Sequence, residues 1–245
     1  MLLLYFYIAI LLSLPLLAAA NVEKTIFIAP APFSIPALDP TLDDLGLERL
    51  SPTDGMLRTK LNASFPTDES TGTQSWYFLE NLNPGQRYEV RICWLASQPT
   101  AFTLQTYTLS EILEDRSLLS AIYLYSSARL STTPPLTALT PHRRASSAIA
   151  DPAPTTDSVL FLRIDAAADY FSLDADLMEN VPPVLADVIL DPFLGNIFPK
   201  SLVPTACWAG FVACLAVVVA RRIAGELGKI VDSVDIQGLD EKKDR

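Results

Sequence analysis

Leu202 to Ala220 reads LVPTACWAGFVACLAVVVA, nineteen residues without a charge, and Arg221-Arg222 come immediately after it. No other feature constrains this chain so strongly. A helix of that length rises about 28 Å at ~1.5 Å per residue, close to the hydrocarbon thickness of a bilayer. A helix also satisfies its own backbone hydrogen bonds, which lipid demands. Pro204 stands in the first turn, where a missing N–H costs least, and Trp208 lies near the same end, at interfacial height. Arg221 and Arg222 read as the stop-transfer pair and predict that the tail beyond them is cytosolic. A buried core helix is the competing reading. It suits the uninterrupted apolar run and the adjacent basic pair less well.

The other end of the chain fixes the topology. Residues 1–20 read MLLLYFYIAILLSLPLLAAA, an apolar run broken by Pro15 and closed by three alanines. This predicts a secretory signal peptide cleaved before Asn21, although the n-region lacks Lys and Arg. An uncleaved anchor is the alternative. With one C-terminal span the expected arrangement is single-pass type I, with the N-terminal domain lumenal and residues 221–245 cytosolic. The tail ends Glu241-Lys242-Lys243-Asp244-Arg245. Lys242 and Lys243 stand fourth and third from the carboxyl end, the spacing of a dilysine retrieval signal read by a coat on the cytosolic side of the endoplasmic reticulum.

Charge is unevenly divided. From Asn21 to Ser201 there are 22 acidic and 12 basic residues, and after Ala220 six of each. An acidic exported domain argues against nucleic acid as a partner. Of three cysteines, Cys207 and Cys214 lie in the span and only Cys93 lies outside it. The domain therefore has no internal disulfide and depends on its core. Cys93, in an apolar run, is expected to be a buried strand thiol.

Between the two apolar ends the pattern is mainly β. Val22–Ile28 reads as a strand, followed by an irregular segment with Pro30, Pro32, Pro36 and Pro40. Residues 57–63 and 74–80 read as further strands. Asn62-Ala63-Ser64 is an N-glycosylation sequon, which the lumenal location makes relevant. Then comes Leu82-Asn83-Pro84-Gly85-Gln86-Arg87-Tyr88-Glu89-Val90-Arg91-Ile92. Pro-Gly makes a turn, after which Tyr88, Val90 and Ile92 alternate inward while Arg87, Glu89 and Arg91 point out. The stretch resembles the tyrosine corner of fibronectin type III and related sandwich domains, where the tyrosine hydroxyl pins the turn. The fold class expected is a mainly β lumenal sandwich plus one C-terminal transmembrane helix. Residues 101–107 continue as strand. Residues 109–130 fit helix or, over 121–125, strand. Residues 131–157, rich in Pro, Thr, Ser and Ala, read as a flexible insertion within a domain spanning 21–179. It contains His142, the sole histidine, expected to be solvated. Residues 158–165 read as the final strand. Residues 180–201 read as an ordered, Pro-rich membrane-proximal stem lying near the membrane surface or against a partner, since its large apolar side chains suit a plain spacer less well. Pro182, Pro183, Phe193, Phe198 and Trp208 are the partner-contact candidates.

No HExxH, Cys-x-x-Cys, glycine-rich phosphate loop or GxSxG occurs, and one linker histidine does not support a triad. No catalytic, cofactor-binding or metal residue is assigned. The acidic groups Asp39, Asp43, Asp44 and Asp165, Asp169, Asp174, Asp176 are the only material for an enzyme of the glycosidase kind, and solvated loop acids are the ordinary explanation.

The layout of the whole chain, with Met178-Glu-Asn-x-Pro-Pro-Val184 and Asp191-Pro-Phe-x-x-x-x-Phe-Pro-x-Ser-Leu-Val-Pro204, resembles the fungal co-activator subunit of GPI mannosyltransferase II. The resemblance implies a non-catalytic, single-span protein of the endoplasmic reticulum membrane. Its implied partner is the multi-spanning subunit that adds the second mannose to the GPI precursor. It implies no active-site residues and offers no counterpart for residues 131–157. A cargo-receptor or chaperone-like subunit of another complex in that membrane is the alternative expectation.

Overall fold

The computed structural model describes residues 21–35, 42–68, 70–132 and 155–243. The signal-peptide expectation for 1–20 lies outside them, as do Asp39, His142 and most of the expected insertion. The chain divides into two compact units between Ile197 and Phe198.

The first unit is a two-sheet sandwich with a helical layer on one side. Strands β1 (Val22–Ile28), β6 (Arg87–Trp94), β10 (Val184–Leu194) and β4 (Met56–Leu61) form one sheet in the order β4-β10-β6-β1, antiparallel throughout. The second sheet runs β3 (Glu48–Leu50), β5 (Thr73–Leu79), β9 (Leu160–Ala168), β7 (Thr100–Tyr107). Its β3–β5 pair is parallel and the rest antiparallel. Alternation decides which residues face inward. Tyr88, Val90 and Ile92 of β6 and Val184, Ala186, Val188 and Leu190 of β10 meet Tyr77, Leu79, Leu162 and Ile164 from the other sheet in one core. Trp94 and Phe102 join the sheets edge to face, ring centroids 4.7 Å apart.

The Pro-Gly turn behaves as its residues dictate. Gln86 N–H donates to the Asn83 carbonyl (3.0 Å), closing a four-residue turn with Gly85 at φ +76°, a conformation glycine adopts without a Cβ penalty. The Tyr88 ring is fully buried, and its hydroxyl accepts from Asn83 N–H (3.0 Å) and donates to Gln86 Oε1 (3.2 Å). The tyrosine pins its own turn, and the expected corner is present.

Residues 109–130, ambiguous in sequence, are helical. Helix α1 (Leu109–Glu114) and helix α2 (Arg116–Thr132) lie on the outer face of the second sheet. Trp76, Phe78 and Phe161 project from that face and pack with Leu109, Ile112 and Ile122 into a second core. A strand over 121–125 is therefore excluded. The capping chemistry explains the helices' start. Thr108 accepts from Glu111 N–H (3.3 Å), while the Glu111 carboxylate accepts from Thr108 N–H (2.6 Å), a reciprocal box. Asp115 accepts from Ser117 N–H (2.8 Å) at the junction with α2.

Three other expectations need correction. Residues 180–201 are not a stem: Val184–Leu194 is the longest strand among the described residues, paired on both sides and central in its sheet. The folded unit thus runs to Ile197 instead of ending at 179, and β9 is not the final strand. The apolar residues show no obvious period in sequence because Pro192 and the flanking prolines mask an alternation that the burial pattern makes plain. Second, residues 131–157 do not form one loop. Ser131 and Thr132 end α2, and β8 (Thr155–Asp157) pairs with β2 (Phe33–Ile35). Third, Glu89, expected to point to solvent, is only 4% exposed, because Lys24 (3.1 Å) and Arg91 (3.6 Å) neutralise it on the sheet's outer face. Cys93 lies on that same face, half-buried and not in the core.

The second unit is a 3₁₀ turn (Lys200–Leu202) leading into helix α4 (Val203–Lys243). Pro204 is the second residue of α4, as a first-turn proline requires. The helix does not stop at Ala220 but continues through Arg221-Arg222 and into the tail. Lys200–Lys229 is long and apolar enough to cross a membrane, with an 18-residue stretch of mean hydropathy 2.2 in which no residue is buried. Among the described residues it is the one helix that meets this description.

Candidate functional site

The expected contact residues are scattered. Asn62 is exposed, directly after β4, so the sequon presents its acceptor amide outward. Pro182 and Pro183 are exposed in the approach to β10 and held there by one side chain. Gln98 donates from Nε2 to the Pro183 carbonyl (3.1 Å) and accepts at Oε1 from Leu185 N–H (3.1 Å). Phe193 is not available to a partner: it is buried, with the Arg87 guanidinium 5.9 Å from its ring centre. Its place on β10 gives the reason, since it belongs to the sheet and not to a stem's surface. Phe198 and Trp208 belong to the second unit, where both are exposed and Trp208 stacks on Phe211 at 5.5 Å. Arg221 and Arg222 are exposed on α4. Lys242 and Lys243 end that helix, and their side chains lie outside the described residues.

Asp165 and Asp174 are each held by a local partner. Asp165 is bonded by Arg163 Nε (3.0 Å). Asp174 caps a short helix, α3 (Ala175–Glu179), by accepting from Asp176 N–H (3.0 Å). The Asp43 side chain lies outside the described residues. On the first sheet's rim Asp187 takes a two-pronged bond from Arg58 (2.7 and 2.8 Å), which holds its carboxyl below the usual range. Among the described residues no group of three or more His, Cys, Asp or Glu side chains is placed to hold a metal ion.

No family model, curated protein or solved structure matches this chain.

Two surfaces are not legible in the sequence without the fold, and a third is. One is a cavity of about 480 Å³ where α1 and α2 meet Leu42 and Leu45, floored by Ile112, Ile122 and Phe161. Arg116, Ser120 and Tyr123 supply its polar groups. The sequence hides it because helix and strand compete over 109–130. The volume falls within the range of about 300–1,000 Å³ typical of small-molecule sites. The second is the loop between β9 and β10, where Phe171 is 82% and Leu173 96% exposed. The third lies on α4. Ala206, Ala209, Gly210, Ala213, Ala216 and Ala220 recur every three or four residues and share one side of the helix, opposite Trp208, Phe211 and Leu215. Small residues on one side let a neighbouring membrane helix approach closely. Their spacing is a sequence signal.

Proposed function

We propose that the protein is a non-catalytic subunit of a GPI mannosyltransferase of the endoplasmic reticulum, acting on the multi-spanning enzyme that adds the second mannose. The observation that carries this reading is α4, which holds a membrane-length apolar stretch with no buried residue, whose small-residue side suits a second membrane helix. A folded β head joined to such a span can position a partner, whereas a single span is too little to build the membrane-embedded core of a polyprenyl-phosphate glycosyltransferase. The head's bonded acids and the resemblance of the chain's layout support the same conclusion. In this reading the head is lumenal, Asn62 carries a glycan, and Lys242-Lys243 returns the protein to the endoplasmic reticulum.

An epitope placed ahead of Lys242 tests it by mild-detergent co-purification, joined to lipid analysis after depletion. The expected result is recovery of a multi-spanning mannosyltransferase and accumulation of a GPI precursor with one mannose. Recovery of secretory cargo alone, with normal precursors, contradicts it. The apolar cavity under α1 and α2 favours a second reading, a cargo-receptor or chaperone-like subunit. That reading requires exported clients to bind at the cavity and to be lost in a Ser120→Trp variant, with GPI precursors unchanged.

A further inference from the structure

We propose that the loop Asp169–Asn180 is a docking tip for a protein partner whose surface offers an apolar pocket flanked by Lys or Arg. It rests on the subunit reading only for the identity of that partner. Leu173 is more exposed than any other large apolar side chain described, those of the span included, and Phe171 stands beside it at 82%. Single exposed apolar residues are ordinary, but these two project from a braced segment. The Tyr170 ring meets Phe65 edge to face at 5.2 Å, and its hydroxyl donates to the Leu177 carbonyl at 2.7 Å. Ser172 N–H reaches Met178 Sδ at 3.4 Å, and Asn180 Nδ2 donates to Asp176 Oδ1 at 2.8 Å. The loop is thereby fixed on both sides of its tip, so little freedom remains to be lost on binding.

Charge selects the occupant. Residues 169–180 hold four carboxylates, on Asp169, Asp174, Asp176 and Glu179, and no Lys or Arg. None of the four forms an ion pair with a base among the described residues. An anionic leaflet repels such a rim, while a basic protein surface is drawn to it. Position agrees. Strand β9 delivers the chain to the loop and β10 carries it away over eleven residues, about 36 Å at ~3.3 Å each, before the unit ends at Ile197. The tip therefore lies at the end of the sandwich far from the residue through which the head joins its anchor. The Asn62 loop is tied to the same end through the Ser64–Ala167 bridge and the Phe65–Tyr170 contact. A glycan on Asn62 would border the tip and limit which partner surfaces can reach it.

The test places a photo-cross-linking side chain at position 173 of the full-length protein in intact microsomes. The expected result is one discrete adduct, to the membrane protein that co-purifies, mapping to an apolar stretch with neighbouring Lys or Arg. Phe171→Ser should cut the yield about tenfold. Asp169→Asn with Glu179→Gln should cut it several-fold and flatten its salt dependence. Both variants alter exposed groups only, and an unchanged thermal unfolding midpoint confirms that the head is intact. Adducts to lipid alone, to a second copy of this chain, or none at all would overturn the inference. So would a yield unaffected by Phe171→Ser. If the mannosyltransferase co-purifies equally well with Phe171→Ser/Leu173→Ser, the docking tip fails while the subunit reading stands. If the adduct maps to an apolar, basic surface of an unrelated membrane protein, the tip stands and the subunit reading fails.

Discussion

Val184–Leu194 and Leu202–Ala220 are close neighbours in sequence and both rich in apolar residues, yet they end in opposite environments. The first is a strand whose alternate residues Val184, Ala186, Val188 and Leu190 fill the core of a sandwich. The second lies within a helix whose apolar stretch has no buried residue. Hydrophobicity alone does not separate them. The difference lies in where the backbone finds its hydrogen bonds. The strand is completed by β4 and β6, and it tolerates Asp187 and Asp191 because alternation sends them to the outer face near Arg58 and Arg91. The helical stretch to Ala220 completes itself, carries no charge to be accommodated, and therefore fits a solvent that offers neither hydrogen bonds nor counter-ions.

The largest expected effect comes from putting one carboxylate into each region. Val188→Asp places a charge in the sandwich core at a cost of several kcal/mol, a large part of a domain's usual stability of about 5–15 kcal/mol. The head should lose its resistance to trypsin. Val212→Asp, at the middle of the span, should leave the head resistant and instead weaken membrane insertion, by about 2.5–3.5 kcal/mol on the insertion scale. Extraction at alkaline pH reads that loss. Equal damage to the head from both variants would erase the contrast between strand and span.

Next in size is the second core, where Phe161→Ala removes a buried ring packed edge to face against Phe78 at 5.2 Å. A destabilisation of about 3–5 kcal/mol is expected in denaturant unfolding. Leu124→Ala, on the exposed side of α2, should cost far less. A smaller change isolates the corner. Tyr88→Phe keeps the ring but leaves Asn83 N–H without its acceptor, for a loss of about 1–3 kcal/mol.

The smallest effect is pH-dependent. The Glu111 carboxyl sits below its ordinary value of 4.5, first because Thr108 N–H bonds it and then because the Thr108 hydroxyl does. A depressed value in the fold means that the charged form favours folding. The contribution is complete above 4.5 and disappears as pH falls through the lower, folded value. Unfolding midpoints measured from pH 7 to pH 3 should drop on the acid side. In Thr108→Ala, which costs about 0.5–2 kcal/mol through the lost cap, part of that drop should vanish.

Much of this architecture is legible in the sequence, and the reasons differ by element. The strands β1, β5, β6 and β7 announce themselves by β-rich composition or two-residue alternation between clear turns. The corner is legible because Pro84, Gly85 and Tyr88 each have a local job. The span needs only its length and lack of charge. Strand β10 is concealed because prolines before and within it resemble a stem, and its partners β4 and β6 are distant in sequence. Helix α2 is concealed because it is apolar on both its buried and its exposed sides, through Ile122 on one and Leu124 on the other, so neither period dominates. The docking tip is concealed because exposure is a property of the fold, and Phe171 and Leu173 look like strand or core residues until the loop around them is in place.

The central claim is that this β head is held across a membrane from the basic end of its anchor. Protease added to sealed microsomes tests it most directly, with one epitope near Asn62 and one ahead of Lys242. The account predicts that the tail epitope disappears while a head fragment survives, and that detergent then exposes the head. Digestion of the head in sealed vesicles, with the tail protected, would contradict it.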